Sequence, residues 1–428
     1  MKLTNDLEND LFYIIQKQSK SLTFFYFGFT FYTFSYVIYT TEVINLKLCQ
    51  LLEAIGLVIL IISAIPLLTF RVKNSYLKII YSIYCCWLIT ILLRGFIFKY
   101  DFIKPMLFDP DNGMLLYFVP LILLFPQKLS AYKKTFDVII VLGVLMVVYD
   151  LVFIKKLLDR SKETQEFIEY SAKLLSLPCG FLLLTYKYHS GKRIILATGI
   201  MIFTLLFSIY KARRGLSMIS LSILMAYFFI YISYTKYKFL AVYLFVFSIL
   251  LGLFLSSNTY KIGKKGLFSF IAERGEEDTR TGVEIYFYND MQIKDWIIGK
   301  GINGQYYCPE IDLDQPTNYR NLIETGYLQI ILKGGLIRLG LYLLITIPAI
   351  FLGFFKSNNL LSKAAAIWII ISLLSLYPAT VNTFSLKYLL VWISVGICFT
   401  KNIRELPDNI VKDYFRNSYA LNENGVIE

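Results

Sequence analysis

Arginine is the side chain best matched to phosphate, because its planar guanidinium stays charged and offers two parallel donors to neighbouring oxygens. Arg213 and Arg214 stand together in Lys211-Ala212-Arg213-Arg214-Gly215, and Arg280 lies in a later polar stretch with Arg274 and Arg320. That stretch also carries Glu324, eleven residues ahead of Gly335. A carboxylate near bound phosphate is a candidate proton acceptor for an attacking hydroxyl, provided its surroundings bring its pKa toward neutrality. Arg213, Arg214 and Arg280 are therefore candidate phosphate ligands, and Glu324 is the candidate base. Each has a plainer reading. The arginines would equally meet lipid headgroups, and Arg320, four residues before Glu324, would form an i,i+4 ion pair with it on one helix.

Other chemistries find little support. The single His189 sits in a short basic loop, which argues against histidine metal sites and histidine triads. The six cysteines are scattered and mostly in or beside apolar runs, so no disulfide framework is implied. Asp312-Leu313-Asp314 has the look of a metal-binding acidic pair, but on an exposed acidic loop it reads as solvated surface, and no metal is assigned. Gly299, Gly301 and Gly304 match G-x-G-x-x-G formally without the preceding strand that a dinucleotide site requires. They read instead as a turn that lets backbone approach a ligand or another helix. No cofactor is expected.

The elements that must position these residues are membrane helices. The chain is 428 residues long, 57% hydrophobic and 17% aromatic, well beyond a soluble domain. Apolar runs approaching the roughly 20 residues of a bilayer-crossing helix recur along it. They predict an all-α polytopic protein of about twelve spans, near 22–41, 49–70, 76–98, 113–126, 136–154, 170–186, 194–210, 216–234, 239–257, 335–355, 362–380 and 382–400. The fourth, between Pro120 and Pro126, is short enough to be tilted or partly re-entrant. The organisation is then a terminus (1–21), nine spans (22–257), one large, partly helical loop (258–334), three spans (335–400) and a tail (401–428). The net charge of +13 points to lipid headgroups, not nucleic acid, because most of it lies in short loops. Arg71, Lys128, Lys187, Lys236, Lys356 and Lys401 fall on one side, so both termini are expected inside and the large loop outside.

Two features follow from that topology. Lys211, Arg213 and Arg214 lie on the outer side, where the orientation rule disfavours cations. Glu53, Arg94, Asp150 and Arg338 all fall in the outer third of the bilayer, which suggests a polar cavity opening outward. Within the loop, Val283, Phe287, Met291, Tyr286, Ile293 and Trp296 recur at helical spacing, as in a helix lying on the membrane interface. Thr317 is placed to cap a second helix with Ile323, Tyr327, Ile330 and Ile331 on its apolar face, ended by Gly334-Gly335.

Three motifs in this order resemble the O-antigen ligase/O-antigen polymerase family of bacterial envelope glycan enzymes. Tyr210-Lys-Ala-Arg-Arg-Gly-Leu-Ser217 is similar to the family's arginine motif ahead of an apolar span. Asp278-Thr-Arg-Thr-Gly282 with Trp296-Ile-Ile-Gly-Lys-Gly301 resembles its second arginine and the following glycine turn. Glu324-Thr-Gly-Tyr-Leu-Gln-Ile-Ile-Leu-Lys-Gly-Gly335 resembles the helix before the next span. Ligases of the family usually carry a histidine where Glu324 stands, so the departure favours a polymerase over a ligase. The resemblance implies a metal-independent glycosyltransferase of the bacterial plasma membrane. It would move a growing glycan from one undecaprenyl diphosphate onto a newly flipped lipid-linked repeat unit, with a flippase and a chain-length regulator as partners. Arg213, Arg214 and Arg280 would hold the leaving diphosphate, with Arg94 as a helper, and Glu324 would orient or deprotonate the acceptor hydroxyl. Ligase-type transfer to another lipid or protein acceptor, and a flippase, are the alternatives.

Overall fold

The computed structural model describes residues 2–39, 45–69, 72–159, 161, 164, 167–235, 280–309, 318–377 and 381–417. The ninth expected span, Arg274, the Asp312–Asp314 pair and Thr317 lie outside the described residues. Among the described residues six helices are long and apolar enough to cross a membrane: Leu46–Leu67, Ser75–Gly95, Leu129–Val152, Gly191–Tyr210, Arg214–Tyr234 and Gly326–Phe355. Only 28–44% of each spanning window is buried, and Ile62 and Leu93 are 64% and 73% exposed. Apolar surface on that scale needs an apolar solvent. The chain is a membrane-embedded, all-α protein.

Helix starts follow side-chain caps where the sequence provides them. Asn45 caps α2 (Leu46–Ala64) by accepting from Lys47 N at 2.9 Å, and Asn74 caps α3 (Ser75–Gly95) by accepting from Leu77 N at 2.9 Å. The first helix, α1 (Lys2–Tyr39), runs unbroken through the boundary expected at residue 21. The fourth expected span is indeed short. A single α-turn, Leu115–Phe118, passes into a 3-10 stretch, Val119–Leu124, at Pro120.

The sixth expected span is broken. Phe167–Ser171 leads into a π-turn, Ala172–Ser176, before Cys179–Leu184 resumes the α-helix. The long apolar core is shared by all of these elements, with Trp392 stacked on Tyr84 at 5.4 Å near its centre.

At one end of the bundle the polar loop forms a small subdomain. Arg280–Asp290 and Ile293–Ile298 are helical, and a two-residue hairpin pairs Tyr306 with Arg320. Val283, Phe287 and Met291 do lie on one helical face, but that face packs on Tyr306, Ile323 and Leu332. The expected interface helix therefore buries its stripe in protein. The reason is the hairpin, whose far strand brings residues up to 40 positions away over the same face. Arg320 lies in that strand and Glu324 in the bend after it, so the two do not share a helix as the i,i+4 reading required.

The next helix starts at Gly326, after Thr325, and runs to Phe355 with one break at Gly335 (φ 69°, ψ −177°). The break expected at Gly334-Gly335 is present as a kink between two helical segments, one starting at Gly326 and the other running to Phe355. Its carbonyls are taken by donors from elsewhere. Lys300 N donates to Leu332 O (2.7 Å), Gly301 N to Lys333 O (3.0 Å) and Trp87 Nε1 to Gly334 O (2.8 Å). The glycine turn is thus a weld between loop and helix. Gly299 (φ 72°) must be glycine twice over, since a Cβ there would lie 2.5 Å from Gly334 N.

The opposite end is tied by a C-terminal helix, Asp408–Asn417. Asp408 accepts from Leu360 N (2.9 Å) and Tyr188 Oη (2.5 Å) and pairs with Lys187 (3.3 Å). His189 is buried beside it, its ring edge-on to Phe136 at 4.6 Å and its Nε2 2.9 Å from Thr185 Oγ1. Burial first, then the Arg193 and Arg416 charges, lower its pKa to about 3. The folded protein keeps His189 neutral while the unfolded chain takes a proton below about pH 6.5, so stability falls as pH drops from about 6.5 toward 3. The expected slope between pH 6 and 5 is about 1 kcal/mol per unit. Melting curves of the wild type and His189→Gln across that range check it: the variant should lose this slope, and equal slopes would exclude the assignment.

Candidate functional site

The π-turn is where the site begins. Its Leu177 N reaches back to Ala172 O at 3.1 Å, and the extra residue turns Lys173 into the protein. Lys173 Nζ lies 3.7 Å from Asp111 Oδ1 and 3.9 Å from Glu169 Oε1. Glu169 Oε2 is in turn 3.1 Å from Arg213 Nη1. Asp111 accepts from Thr383 Oγ1 at 2.8 Å, and its neighbour Asn112 accepts from Gln329 Nε2 at 3.0 Å. One chain of polar contacts thus runs from the Arg213 turn, through the 109–112 loop, to the helix that follows Glu324.

Two small adjoining cavities, each about 10 Å³, lie along this chain with Asn382 as a shared wall and together make up a polar chamber. That is room for about one water apiece. Lys333, Arg338, Gln329 and Asp111 line the first; Lys173, Lys387, Ser372 and Thr383 line the second. Lys333, Arg338 and Lys387 are only 3%, 4% and 8% exposed. Lys333 donates to Gly304 O (2.9 Å), Lys387 to Ser375 Oγ (3.2 Å), and the Arg338 guanidinium sits 4.7 Å over the Tyr117 ring. Buried cations cost several kcal/mol each unless compensated, and here the four lining cations, with Arg213 beyond Glu169, face three carboxylates, Asp109, Asp111 and Glu169. The excess is positive, which suits an anion.

The 109–112 loop is held by its own first residue. Asp109 Oδ1 accepts from Asp111 N (2.8 Å) and Asn112 N (3.2 Å), an Asx-type turn that aims Asp111 and Asn112 into the chamber. Burial, and then the Asp111 charge, raise the Asp109 carboxyl above its usual range despite these bonds.

The residues expected from sequence are dispersed over this end of the bundle. Arg213 joins the chamber through Glu169 and is half-buried, whereas Arg214, the first residue of its helix, is exposed. Their turn is pinned by Lys211, fully buried, whose Nζ donates to Lys156 O (2.9 Å) and Thr164 O (3.1 Å). Ala212 adopts φ 54° there, a left-handed strain that aims Arg213 away from Lys211.

Arg280 opens the loop helix. One turn on, Glu284 accepts from Thr325 Oγ1 at 2.5 Å, so the Arg280 helix and Glu324 share an edge. Glu324 is exposed at the rim, two residues before Gly326 in the chamber wall. Arg94 donates through Nη2 to Ile298 O (2.8 Å) and Gly299 O (2.9 Å), so its guanidinium holds the glycine turn.

Of Glu53, Arg94, Asp150 and Arg338, which depth in the bilayer grouped into one cavity, Arg338 lines the chamber among the described residues, while Glu53 and Asp150 are buried elsewhere in the helix packing. Depth in the bilayer was a weak guide because it ignores which way a side chain faces. Lys173, Lys333 and Lys387 were missed. A signal for them existed: each is a lysine inside or against an apolar run at the same end of the bundle, where charge is costly.

Among the described residues no group of histidine, cysteine, aspartate and glutamate could hold a metal ion. Comparison with family models, with curated proteins and with solved structures found no match for this chain.

Proposed function

We propose that this chain is a polysaccharide repeat-unit polymerase, a metal-independent glycosyltransferase that joins undecaprenyl-diphosphate-linked oligosaccharides into O-antigen, capsule or exopolysaccharide. One observation carries the reading. The Arg213 turn and the Glu324–Gly335 segment, over a hundred residues apart, converge through Glu169, Lys173, Asp111, Asn112 and Gln329 on the two adjoining cation-lined cavities.

In this reading the chamber lies at the outer membrane face, with both termini inside and about twelve spans in all. Basic residues such as Lys128, Lys187 and Lys401 at the opposite end support that orientation. Arg213, Arg214 and Arg280 hold the donor's diphosphate at the rim. Lys173 and Arg338 supply fixed positive charge beneath them, and Lys387 and Lys333 add buried amine donors. As the glycosidic bond to phosphate breaks, negative charge builds on the departing diphosphate, and donors already in place stabilise it without reorganising. Glu324, at the exposed rim, accepts the proton of the acceptor hydroxyl as that oxygen bonds to the sugar. Arg94 acts one step back by fixing the glycine turn.

A strain lacking this chain tests the assignment against a transporter. Loss of the polymerase should leave single lipid-linked repeat units on the outer face. Repeat units trapped on the inner face would identify a flippase instead, and unchanged polymer with an uncapped terminal acceptor would identify a ligase.

A further inference from the structure

An apolar groove of about 360 Å³ runs beside the chamber, between α1, α2 and the short 115–124 segment. It exists because that segment is too short to fill its place. Ten residues, part α and part 3-10, reach roughly 15–20 Å, about half the thickness of the hydrocarbon layer. Ala64, a small side chain on α2, widens the gap. Ile61 and Phe118 are 46% and 42% exposed along its mouth, so the groove opens sideways toward lipid.

Its upper end meets the chamber residue by residue. Met114 and Leu115 line the groove, while Asn112 and Leu116 line the first polar cavity. Phe384 lines the groove, while Thr383 and Ser385 line the second. The two walls are tied by Phe384 N donating to Pro110 O at 2.7 Å. Cation-lined space above and a lipid-open apolar slot below match a single kind of molecule, an amphiphile with an anionic head.

We infer that this groove holds the first part of the hydrocarbon chain of the lipid diphosphate whose head is bound at the chamber. The inference rests on the proposed function and adds to it the place where the carrier lipid is gripped. With lipid or detergent as the alternative surround, the tail is held by close packing against the groove wall and not by leaving water. Filling the groove with Ala64→Trp should therefore cost on the order of tenfold or more.

The test uses the full-length protein in detergent and a polyprenyl diphosphate bearing a diazirine near its head, with cross-linked peptides mapped by mass spectrometry. Labels are expected at Ile61, Phe118 or Leu121, competed by unlabelled polyprenyl diphosphate in the wild type. Ala64→Trp and, independently, Leu121→Trp should reduce them about tenfold, whereas Ile79→Trp on the exposed face of α3 should leave them unchanged.

Labelling elsewhere on the bundle would overturn the groove and leave the polymerase standing. Equal labelling of the groove by a phosphatidylglycerol probe would show an ordinary lipid position and would also overturn it. Specific groove labelling by a protein that makes no polymer would uphold the groove and remove the polymerase. No labelling by polyprenyl diphosphate anywhere would end both.

Discussion

Arg213→Glu should abolish long-chain glycan while the protein still inserts and folds. Arg213 is linked into the chamber through its 3.1 Å contact with Glu169. Reversing its charge would place two carboxylates against each other and withdraw positive charge from the edge where a diphosphate must sit. Loss of one preorganised donor to a developing anion typically costs about 10²–10³ in rate, and the added repulsion increases that. Arg213→Lys should be intermediate, because the charge remains while the bidentate fork is lost. The readout is the glycan ladder on a gel, set beside gel filtration of the purified variant. A normal ladder from a folded Arg213→Glu protein would remove the arginine turn from the site.

Gly335→Ala should cost more in stability than any other single methyl group among the described glycines. A Cβ at that position would lie 2.1 Å from Ile297 O, and its φ of 69° with ψ near 180° is a region essentially limited to glycine. Strain and overpacking each contribute about 1–3 kcal/mol, so a loss of roughly 4 kcal/mol is expected. The weld would open, releasing the amides of Lys300 and Gly301 from the carbonyls of Leu332 and Lys333. Gly340→Ala, five residues along the same helix with nothing within 4 Å of its Cβ, is the control and should be neutral or slightly stabilising. Thermal melts in detergent compare the two; equal melting temperatures would mean that the loop and the helix are not joined there.

The fold class was legible because bilayer-length apolar runs have few other uses. The break at Gly334-Gly335 and the apolar stripe Val283-Phe287-Met291 were legible for the same reason: local pattern determines local structure. What covers that stripe was not, since Tyr306 and Leu332 reach it only through a hairpin and a weld that no local pattern records. The helix expected to carry both Arg320 and Glu324 failed at the same point, where a two-residue strand replaced an expected helical turn.

The site was half legible. Arg213 stood out as a cation on the side where the expected topology disfavours one. Lys173 did not, because an ordinary α-helix would have turned it elsewhere and only the π-turn brings it to Asp111. The glycine string, the most motif-like feature, proved to be architecture: Gly299 and Gly301 hold the loop to the helix that carries Lys333 and Arg338.

The most direct test of the central claim is reconstitution. Purified protein in liposomes, given undecaprenyl-diphosphate-linked repeat units and EDTA, should yield a ladder of multiples of the repeat together with free undecaprenyl diphosphate, and Arg213→Glu should yield neither. Repeat units that stay single with the wild-type protein, under conditions where their binding is demonstrated, would contradict the polymerase.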